Sequence, residues 1–290
     1  MFRILRNNYK ISYGKISIKK PKDSLKSIGK WALYWLWILR IHLGIMVNSK
    51  SHEKATLILL SYKRIQNIEP IIKAALKCSF IDRIIVSNNN PDEYDIHDWM
   101  VFTDPRVVLI NQKKNEGFGN RWNIAINDKN DNFILIDDDI FIKPKQLKIL
   151  FEHLISNKNI PHGLAGSINF KKFVDRRDVQ VEILHQIYAV TRDHIEKYFE
   201  YKNLLEQLPS LKNINIVNSA DDIIISFTGN SYARIYNTGI VLRCPFSHDE
   251  NIASYLQDGF YEQRKMIIDE LNDIKSVERK IFQLQNSEVY

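Results

Sequence analysis

From residue 55 onward the chain alternates short apolar runs with amphipathic stretches. Runs of Ile, Leu, Val and Phe that end in turn residues predict buried strands, and apolar residues at helical spacing predict helices between them. The predicted strands cover residues 55–60, 81–86, 106–110 and 133–142. The predicted helices cover residues 65–76 and 144–157, with another that follows a glycine-bearing loop and ends near residue 127. Strands that alternate with helices in this way form right-handed crossovers and a parallel sheet.

After residue 157 the pattern is less regular. Strands are predicted at residues 163–170 and 179–190, on either side of a basic loop at residues 171–177. Further elements are predicted as a helix at residues 191–208, a hairpin from residues 231–236 and 239–243, and a long charged helix at residues 258–285. The chain is therefore expected to be an α/β protein whose sheet is most regular in its first half.

Residues 1–54 do not follow this alternation. Seven lysines between residues 10 and 30 precede an apolar run at 31–47 that contains three tryptophans, Arg40 and His42. The run is near the lower limit for crossing a bilayer, and its arginine makes crossing costly. A basic, tryptophan-rich segment suits a helix on an anionic leaflet, so residues 10–47 are expected to contact a membrane surface from the cytoplasmic side. The alternatives are a type II membrane anchor in a secretory compartment and a helix packed in the core.

Net charge and cysteine content disfavour a nucleic-acid-binding domain and a protein built on a disulfide framework. The net charge is +7, but residues 1–50 hold eleven Lys or Arg and one acidic residue, so the remainder carries −3. A nucleic-acid-binding domain would place its basic surface on the folded body, so no nucleic-acid partner is expected. The two cysteines, Cys78 and Cys244, make no disulfide framework and favour a reducing compartment such as the cytoplasm.

Three consecutive aspartates, Asp137, Asp138 and Asp139, follow the apolar residues of the fourth predicted strand. Alternate residues of an extended chain point the same way, so Asp137 and Asp139 can face one point. In open α/β sheets ligands bind at this edge, and two converging carboxylates suit Mg²⁺ or Mn²⁺. The triplet thus predicts a divalent cation and a substrate with a diphosphate, although a solvated turn or a helix cap would also contain aspartates.

Polar side chains near the ends of the neighbouring strands add to this edge. They are Tyr62, Arg64, Asn88, Asn89, Asn120 and Arg121. Amides and hydroxyls suit a base and ribose, and arginines suit a diphosphate, so together they predict a nucleotide pocket. A second acidic pair, Asp221 and Asp222, lies at a strand end or a helix start, where acidic residues also serve as helix caps. Arg264, on the last predicted helix, could cover the diphosphate.

These motifs resemble metal-dependent glycosyltransferases of the GT-A fold, and within them the exostosin-like enzymes of glycosyltransferase family 64. The resemblance covers about residues 55–285. It rests on Thr56–Arg64, Ile84–Asn89, Asn120–Arg121, Leu135–Asp139, Asp221–Ile223, Ser247–Asp249 and Tyr261–Arg264. The loop from Asn115 to Asn120 looks more like bacterial family-two enzymes, which invert the anomeric carbon, whereas exostosin-like enzymes retain its configuration.

The resemblance implies a role for each site residue. Contacts to the nucleotide would come from Tyr62, Arg64, Asn88, Asn89, Asn120, Arg121, Asp137 and Asp138. Asp139 would be the principal metal ligand, with Asp137 and His248 in the same set. Asp222 and Asp221 would lie at the reaction centre, and Arg264 would hold the leaving diphosphate.

The resemblance also implies an activity and a domain division. A GT-A enzyme with these motifs would use Mn²⁺ or Mg²⁺ to move an N-acetylhexosamine or hexose from a UDP-sugar to a hydroxyl of a glycan or glycolipid. Its catalytic domain would cover residues 55–285, with a nucleotide-binding half at 55–142 and an acceptor-binding half with a smaller mixed sheet at 143–285. The alternatives are a nucleotidyltransferase of related fold and a non-catalytic, membrane-associated module that binds sugar or nucleic acid.

Overall fold

The structure, a computed structural model, describes residues 32, 35–36, 39–41, 43–62, 64–170, 172–216, 220–243 and 260–287. Cys244, the predicted metal ligand His248 and all of residues 1–31 lie outside these ranges. The strands are β1 (Ala55–Ser61), β2 (Ile81–Asn88), β3 (Val107–Asn111), β4 (Asn132–Ile136), β5 (Ile140–Phe141), β6 (His162–Gly163), β7 (Ala165–Ile168), β8 (Lys172–Asp175), β9 (Val179–Val181), β10 (Ile183–Leu184), β11 (Ile187–Thr191), β12 (Ala233–Ile235) and β13 (Leu242–Arg243). The α-helices are α1 (Ile68–Leu76), α2 (Ile96–Trp99), α3 (Asn120–Ile126), α4 (Pro144–Ser156), α5 (Arg192–Gln207), α6 (Asp221–Phe227) and α7 (Phe260–Ser287).

The first four strands form the parallel part of the central sheet. β1 pairs in parallel with β2 and with β4, and β2 pairs in parallel with β3. Because parallel strands all end at the same edge, the residues after β1, β2, β3 and β4 collect there. The predicted parallel sheet and its α/β architecture are confirmed.

Both faces of this sheet are covered, as the continuous apolar runs predict. Leu57 and Leu59 of β1 pack in one hydrophobic core, together with α1 and α4. Ile58, between them, packs in a second core on the opposite face with residues of α5, α6 and α7. Alternation with a period of two therefore divides one fully buried strand between two cores.

The second half of the chain extends the sheet with mixed pairing. Beyond β4 the strand order continues β11, β6, β12 and β9, with β11 antiparallel to both of its neighbours and β12 parallel to β6. A separate antiparallel sheet has the order β10, β7, β8, and β5 pairs with β13. Gly166 permits the close packing of β7 on β10, since a Cβ atom there would lie 2.6 Å from the carbonyl oxygen of Ile183.

Some predicted elements of this half are wrong. Residues 231–236 and 239–243 do not pair with each other as a hairpin, because β12 pairs with β6 and β9 while β13 pairs with β5. The strand predicted at residues 179–190 is three short strands, and Gln186, between the last two, has a φ of 66° that interrupts extended backbone. The basic loop predicted at residues 171–177 contains the strand β8, which pairs with β7.

Part of the N-terminal segment packs on the α/β body. Ile41 is buried in the core, and Val47 forms a parallel bridge with Cys78, where the amide of Val47 donates to the carbonyl of Lys77 over 2.7 Å. Large apolar side chains of the same segment are exposed, namely Leu36, Leu39, Leu43, Ile45 and Met46. Within the described residues no helix has both the length and the apolar character needed to cross a membrane.

Candidate active site

The central carboxylate of the triplet, Asp138, is held by the fold itself. β4 ends at Ile136, and a turn leads from Asp137 through Asp139 into β5. Asp138 is buried and accepts hydrogen bonds from the Nη1 of Arg64 over 2.8 Å and from the backbone amide of Tyr62 over 3.1 Å. Its own carbonyl accepts from the Nδ2 of Asn67 over 2.8 Å. Asp138 and Arg64 thereby tie the end of β4 to the loop after β1.

Asp137 lies against Arg121, near the start of α3. The Nη1 of Arg121 donates to the Oδ1 of Asp137 over 2.7 Å, and the side chain of Asp137 is 29% exposed. Burial raises the pKa of Asp137, and the charge of Arg121 opposes this effect. Two of the three aspartates of the triplet are thus paired with the arginines that the sequence predicts at the neighbouring strand ends.

The second acidic pair lies at the start of α6. Asp222 accepts hydrogen bonds from the Nη1 and the Nη2 of Arg264, each over 2.8 Å, and its Oδ2 lies 3.5 Å from the Nδ1 of His185. Burial alone would raise the pKa of Asp222, but the charge and hydrogen bonds of Arg264, with His185, hold it well below its usual range. Asp222 is therefore ionised in this arrangement.

Asp221 has the opposite character. It is 8% exposed, and its nearest cation is Arg121, whose Nε lies 3.4 Å from its Oδ2. Burial raises the pKa of Asp221 to about 6, because Arg121 is shared with Asp137 and the charge of Asp222 adds repulsion. Below about pH 6 the two adjacent carboxyl groups therefore differ in protonation, because Asp221 binds a proton while Asp222 stays ionised.

Arg121 brings the two acidic groups together. Its guanidinium contacts Asp137 over 2.7 Å and Asp221 over 3.4 Å, and it lies 5.5 Å from the centre of the Tyr188 ring. The arginine itself is 6% exposed, and the surrounding carboxylates raise its pKa despite its burial. The end of β4 and the start of α6 therefore share one cation, so the acidic triplet and the acidic pair face the same space.

The remaining residues predicted for the nucleotide divide into two kinds. The Nδ2 of Asn88 donates to the carbonyl of Tyr94 over 2.7 Å and to Asn111, and its Oδ1 accepts from the amide of Asn90, so it braces the edge of the sheet. Asn89 donates from its Nδ2 to the carbonyl of Gly117 over 2.8 Å. The Oδ1 of Asn89 is buried and accepts no hydrogen bond from the described residues. The Nδ2 of Asn120 is also buried and donates none to them. Both polar atoms therefore lack a partner within the described part of the chain.

The donor set at the end of β4 fits a cation that binds together with a diphosphate. No group of three or more His, Cys, Asp or Glu side chains in the described ranges could hold a metal ion by itself. Asp137 and Asp139 are partly exposed at alternate positions after β4. Mg²⁺ and similar hard cations are commonly held by one or two carboxylates plus substrate phosphates, so these aspartates suffice. The predicted third ligand, His248, lies outside the described residues.

Two residues of the site carry no signal in the sequence. His185 lies inside a predicted strand among apolar residues, and only the fold brings it to Asp222. Its Nε2 lies 2.6 Å from the Oγ of Ser167 on β7, which fixes the ring. The backbone carbonyl of Gln186 accepts a hydrogen bond from the backbone amide of Asp137 over 2.9 Å. Because both contacts join residues far apart in sequence, local patterning does not reveal them.

A cleft opens beside this group, between β8, the residues before β11 and the segment before β13. We call it the β8 cleft; it encloses about 410 Å³ of space including its open mouth. The residues that line it are Ile140, Leu164, Ala165, Phe173, Asp175, Arg176, His185, Gln186, Ile187, Gly239 and Val241. Since His185 contacts Asp222 and Gln186 contacts Asp137, the inner end of the cleft reaches both acidic groups.

Residues 56–218 of the chain match the model of a protein family described as glycosyl transferase family 2. No curated protein sequence matches the chain. Among solved structures, it is similar to a crystal structure of GalNAc-T7 with UDP, GalNAc and Mn²⁺, at 10% identity and a TM-score of 0.49 over 68% of this chain and 45% of that one. A similar structure is the mannosyltransferase PcManGT from Pyrobaculum calidifontis in complex with GDP-Man and Mn²⁺, at 15% identity and a TM-score of 0.44 over 73% of this chain and 64% of that one. The third is TarS 1–349 of S. aureus, at 13% identity and a TM-score of 0.44 over 65% and 59%. The chain spans less than two thirds of the length of each of these structures.

Proposed function

Because the chain belongs to glycosyl transferase family 2 and is a glycosyltransferase of the GT-A fold, we propose that it uses a UDP-sugar as its donor. The transferred group is a hexose or N-acetylhexosamine, the cation is Mn²⁺ or Mg²⁺, and the acceptor is a hydroxyl of a glycan or glycolipid. Residues 55–142 bind the nucleotide and residues 143–285 bind the acceptor. The finer resemblance to exostosin-like enzymes stays a prediction.

One contact carries this proposal. Arg121 lies within 2.7 Å of Asp137 and 3.4 Å of Asp221, so a single guanidinium joins the acidic end of β4 to the acidic start of α6. Sugar transfer needs a site for the departing diphosphate and a carboxylate near the incoming hydroxyl. Separate acidic groups on the two halves of the chain, facing one space, meet both needs.

The donor half would bind the nucleotide through its buried polar atoms and its arginines. The amide atoms of Asn89 and Asn120 that have no partner among the described residues suit the hydrogen-bonding edges of a base or ribose. Arg121 and Arg264 are both buried and charged, and planar guanidinium groups bind phosphate oxygens in pairs. Arg64, paired with Asp138, would hold the loop after β1 in position at the edge of the pocket.

Asp139 and Asp137 would hold the cation against the diphosphate. When bound, the cation supplies Lewis-acid stabilisation of the negative charge that develops on the leaving group. Arg264 would add fixed positive charge at the same place, where electrostatic stabilisation contributes most to the rate.

Asp222 would act on the acceptor, and we assign an inverting reaction on the basis of family 2. The acceptor oxygen forms a bond to the anomeric carbon as the bond from that carbon to the diphosphate oxygen breaks. The proton of the acceptor hydroxyl passes to the carboxylate of Asp222, and the electron pair of the broken bond leaves with the diphosphate. His185, 3.5 Å from Asp222, would keep the carboxylate oriented toward the β8 cleft.

The test is a calorimetric titration of the full chain with UDP, with and without Mn²⁺, followed by a panel of UDP-sugars scored for UDP release. The expected result is metal-dependent UDP binding and hydrolysis of one donor. Asp139→Asn should remove the metal dependence, whereas Asp131→Asn, at the other end of β4 and 79% exposed in its side chain, should not. Metal-independent binding, or none, would overturn the donor assignment, and NMR of the product would decide between inversion and retention.

We also propose that the N-terminal segment binds an anionic membrane surface. Five large apolar side chains between Leu36 and Met46 are exposed, and seven lysines precede them in the sequence. Apolar contact and attraction to anionic lipid act together in such segments. Co-sedimentation with phosphatidylserine vesicles, but not with phosphatidylcholine vesicles, is expected, and replacement of Leu39, Leu43 and Ile45 by Ser should abolish it. Equal binding to both vesicles would contradict the proposal.

A further inference from the structure

The β8 cleft extends from the two acidic groups to a strand, β8, that is followed by two arginines, Arg176 and Arg177. Its inner end is formed by His185 and Gln186, which contact Asp222 and Asp137 respectively. Its outer wall is β8, where Phe173 and Asp175 line the cleft and Val174, between them, is buried in the core. A molecule bound in the cleft would therefore lie between β8 and His185, the residue that contacts Asp222.

Phe173 offers an apolar surface in this cleft. It is 45% exposed although it belongs to a paired strand, and its ring is stacked on that of His185 with 6.0 Å between centres and 16° between planes. Sites for small molecules combine aromatic surfaces with a few positioned polar groups. The flat C–H face of a sugar ring suits such a surface, so the pair of rings is a platform for the acceptor sugar.

Backbone strain is concentrated around the same cleft. Among the described residues, those other than glycine with a positive φ are Asn169, Phe170, Arg176 and Gln186. Asn169 and Phe170 precede β8, Arg176 follows it directly, and Gln186 lines the inner end of the cleft. Residues held in this region cost on the order of 1–3 kcal/mol each and cluster at ligand sites. The strain is therefore consistent with a binding role for this wall.

The outer end of the cleft carries a positively charged side chain, that of Arg176. Lys172, Arg176 and Arg177 are exposed, and of these Arg176 lines the cleft. Its Nε donates to Asp175 over 3.2 Å, and its two terminal nitrogens make no hydrogen bond within the described part of the chain. The chain after residue 50 carries a net charge of −3, so this basic group is a local feature and not part of a basic surface. The free side of a guanidinium suits the paired oxygens of a phosphate or carboxylate.

We propose that the acceptor is an anionic saccharide whose ring stacks on Phe173 and whose phosphate or carboxylate binds Arg176. This inference rests on the proposed transfer reaction and adds the chemical class of the acceptor. Arg176 is a specificity-determining residue in this assignment, and it takes no part in the chemical step. Its neighbour Arg177 is also exposed but does not line the cleft, which provides a matched control.

The experiment measures binding of three sugars to the full chain with UDP and Mn²⁺ present. Glucose 6-phosphate and glucuronic acid represent the two anionic groups, and glucose is the neutral reference. Both anionic sugars, or the one whose group the site prefers, should bind at least about tenfold more tightly than glucose, as expected for one charge-assisted bidentate contact. Arg176→Gln should remove this preference, and Arg177→Gln should retain it. Phe173→Ala should weaken all three sugars to a similar degree.

Each other outcome overturns the assignment. Equal affinity for the three sugars, no binding of either anionic sugar, or a preference that survives in R176Q would all exclude Arg176 as the anion-binding residue. Loss of the preference in R177Q to the same extent as in R176Q would indicate a general effect of positive charge. Failure of the proposed function is seen separately, because it would abolish the metal-dependent UDP titration itself. Thermal melting of each variant reports whether it is folded.

Discussion

Both terminal nitrogens of Arg264 donate to the carboxylate of Asp222, each over 2.8 Å. Arg264 is proposed to bind the leaving diphosphate, and Asp222 is proposed to accept the proton of the acceptor hydroxyl. In this structure the two residues bind each other. This pairing also holds the pKa of Asp222 low, which makes the carboxylate a weak base while the pair is closed. Binding of the donor would draw Arg264 to the diphosphate and leave Asp222 more basic, so the base would be released only when the donor is present.

Arg264→Lys tests this exchange. A lysine keeps the positive charge but cannot bind two carboxylate or phosphate oxygens with a planar fork. We expect kcat to fall by roughly 10- to 100-fold, since about 1.4 kcal/mol corresponds to a factor of ten. UDP affinity should fall as well, because Arg264 is proposed to contact the diphosphate. The measurement is UDP release under saturating donor, and Lys265→Arg, at the next position of α7, is the control.

Asp222→Asn should reduce kcat more strongly than R264K, by about 10²- to 10⁴-fold, because it removes the proton acceptor. UDP binding should persist, since Asp222 is not proposed as a nucleotide contact. Wild-type turnover in D222N would exclude it as the base. A loss of UDP binding in D222N equal to its loss of turnover would instead place its role in donor binding.

Asp138 and Asp139 should respond differently to substitution. Asp138 is 6% exposed and accepts hydrogen bonds from Arg64 and the amide of Tyr62, so Asp138→Ala removes one side of a buried ion pair. Breaking a buried pair in this way costs about 3–5 kcal/mol of unfolding free energy. Asp139→Ala, at the next position, should cost about 1 kcal/mol or less and abolish metal-dependent UDP binding. Urea unfolding and the UDP titration measure both effects, and equal destabilisation would contradict the division of roles.

The contacts at the end of β4 follow from the sequence because parallel strands end at one edge. Asp137 follows β4, and Arg121 lies in the first turn of α3, 16 residues earlier in the chain. The apolar pattern predicts both elements, so the two residues are expected to lie close together. Asp138 was expected to contact the nucleotide, and its buried bond to Arg64 depends on the loop after β1, which patterning does not describe.

The second half of the chain is less predictable because its strands are short and pair with distant residues. Leu242 of β13 pairs with Phe141 of β5, whereas the local sequence pattern predicts a hairpin between β12 and β13. His185 meets Asp222 only after β10, β7 and α6 have assembled, so its role has no local signature. Strands of two to four residues provide too few alternations to fix either their partner or their facing side.

Gly117 and Gly119 lie in the loop before α3 and should differ in their tolerance of alanine. Gly117 has a φ of 77°, and its carbonyl accepts from the Nδ2 of Asn89 over 2.8 Å. Gly119 has a φ of −64°, which any residue adopts. Gly117→Ala should cost about 1–2 kcal/mol and weaken UDP binding several-fold, because the backbone that Asn89 supports must shift. Gly119→Ala should leave both quantities nearly unchanged, and equal effects of the two substitutions would argue against strain at Gly117.

Acid should destabilise the fold through its buried histidines. His162 is fully buried, with its Nδ1 2.8 Å from the hydroxyl of Tyr236 and its Nε2 2.6 Å from the carbonyl of Asn157. Burial lowers the pKa of His162 to about 4, and burial has the same effect on the pKa of His194. In the unfolded chain a histidine has a pKa near 6.5. Between these two values the unfolded state binds protons that the folded state excludes, so stability falls as the pH is lowered from about 6.5 to about 4.

The expected loss is on the order of 2–3 kcal/mol for each histidine across this range, and stability above pH 6.5 should not depend on them. His162→Gln keeps a donor and an acceptor but removes the titrating group, so its unfolding free energy should fall less steeply with acid than that of the wild type. His97→Gln, at an exposed position, should follow the wild-type slope. Urea unfolding at a series of pH values gives these slopes directly, and the slope is informative even where H162Q is less stable throughout. Parallel curves for H162Q and the wild type would show that His162 is protonated equally in both states, and its burial would then not be a source of acid sensitivity.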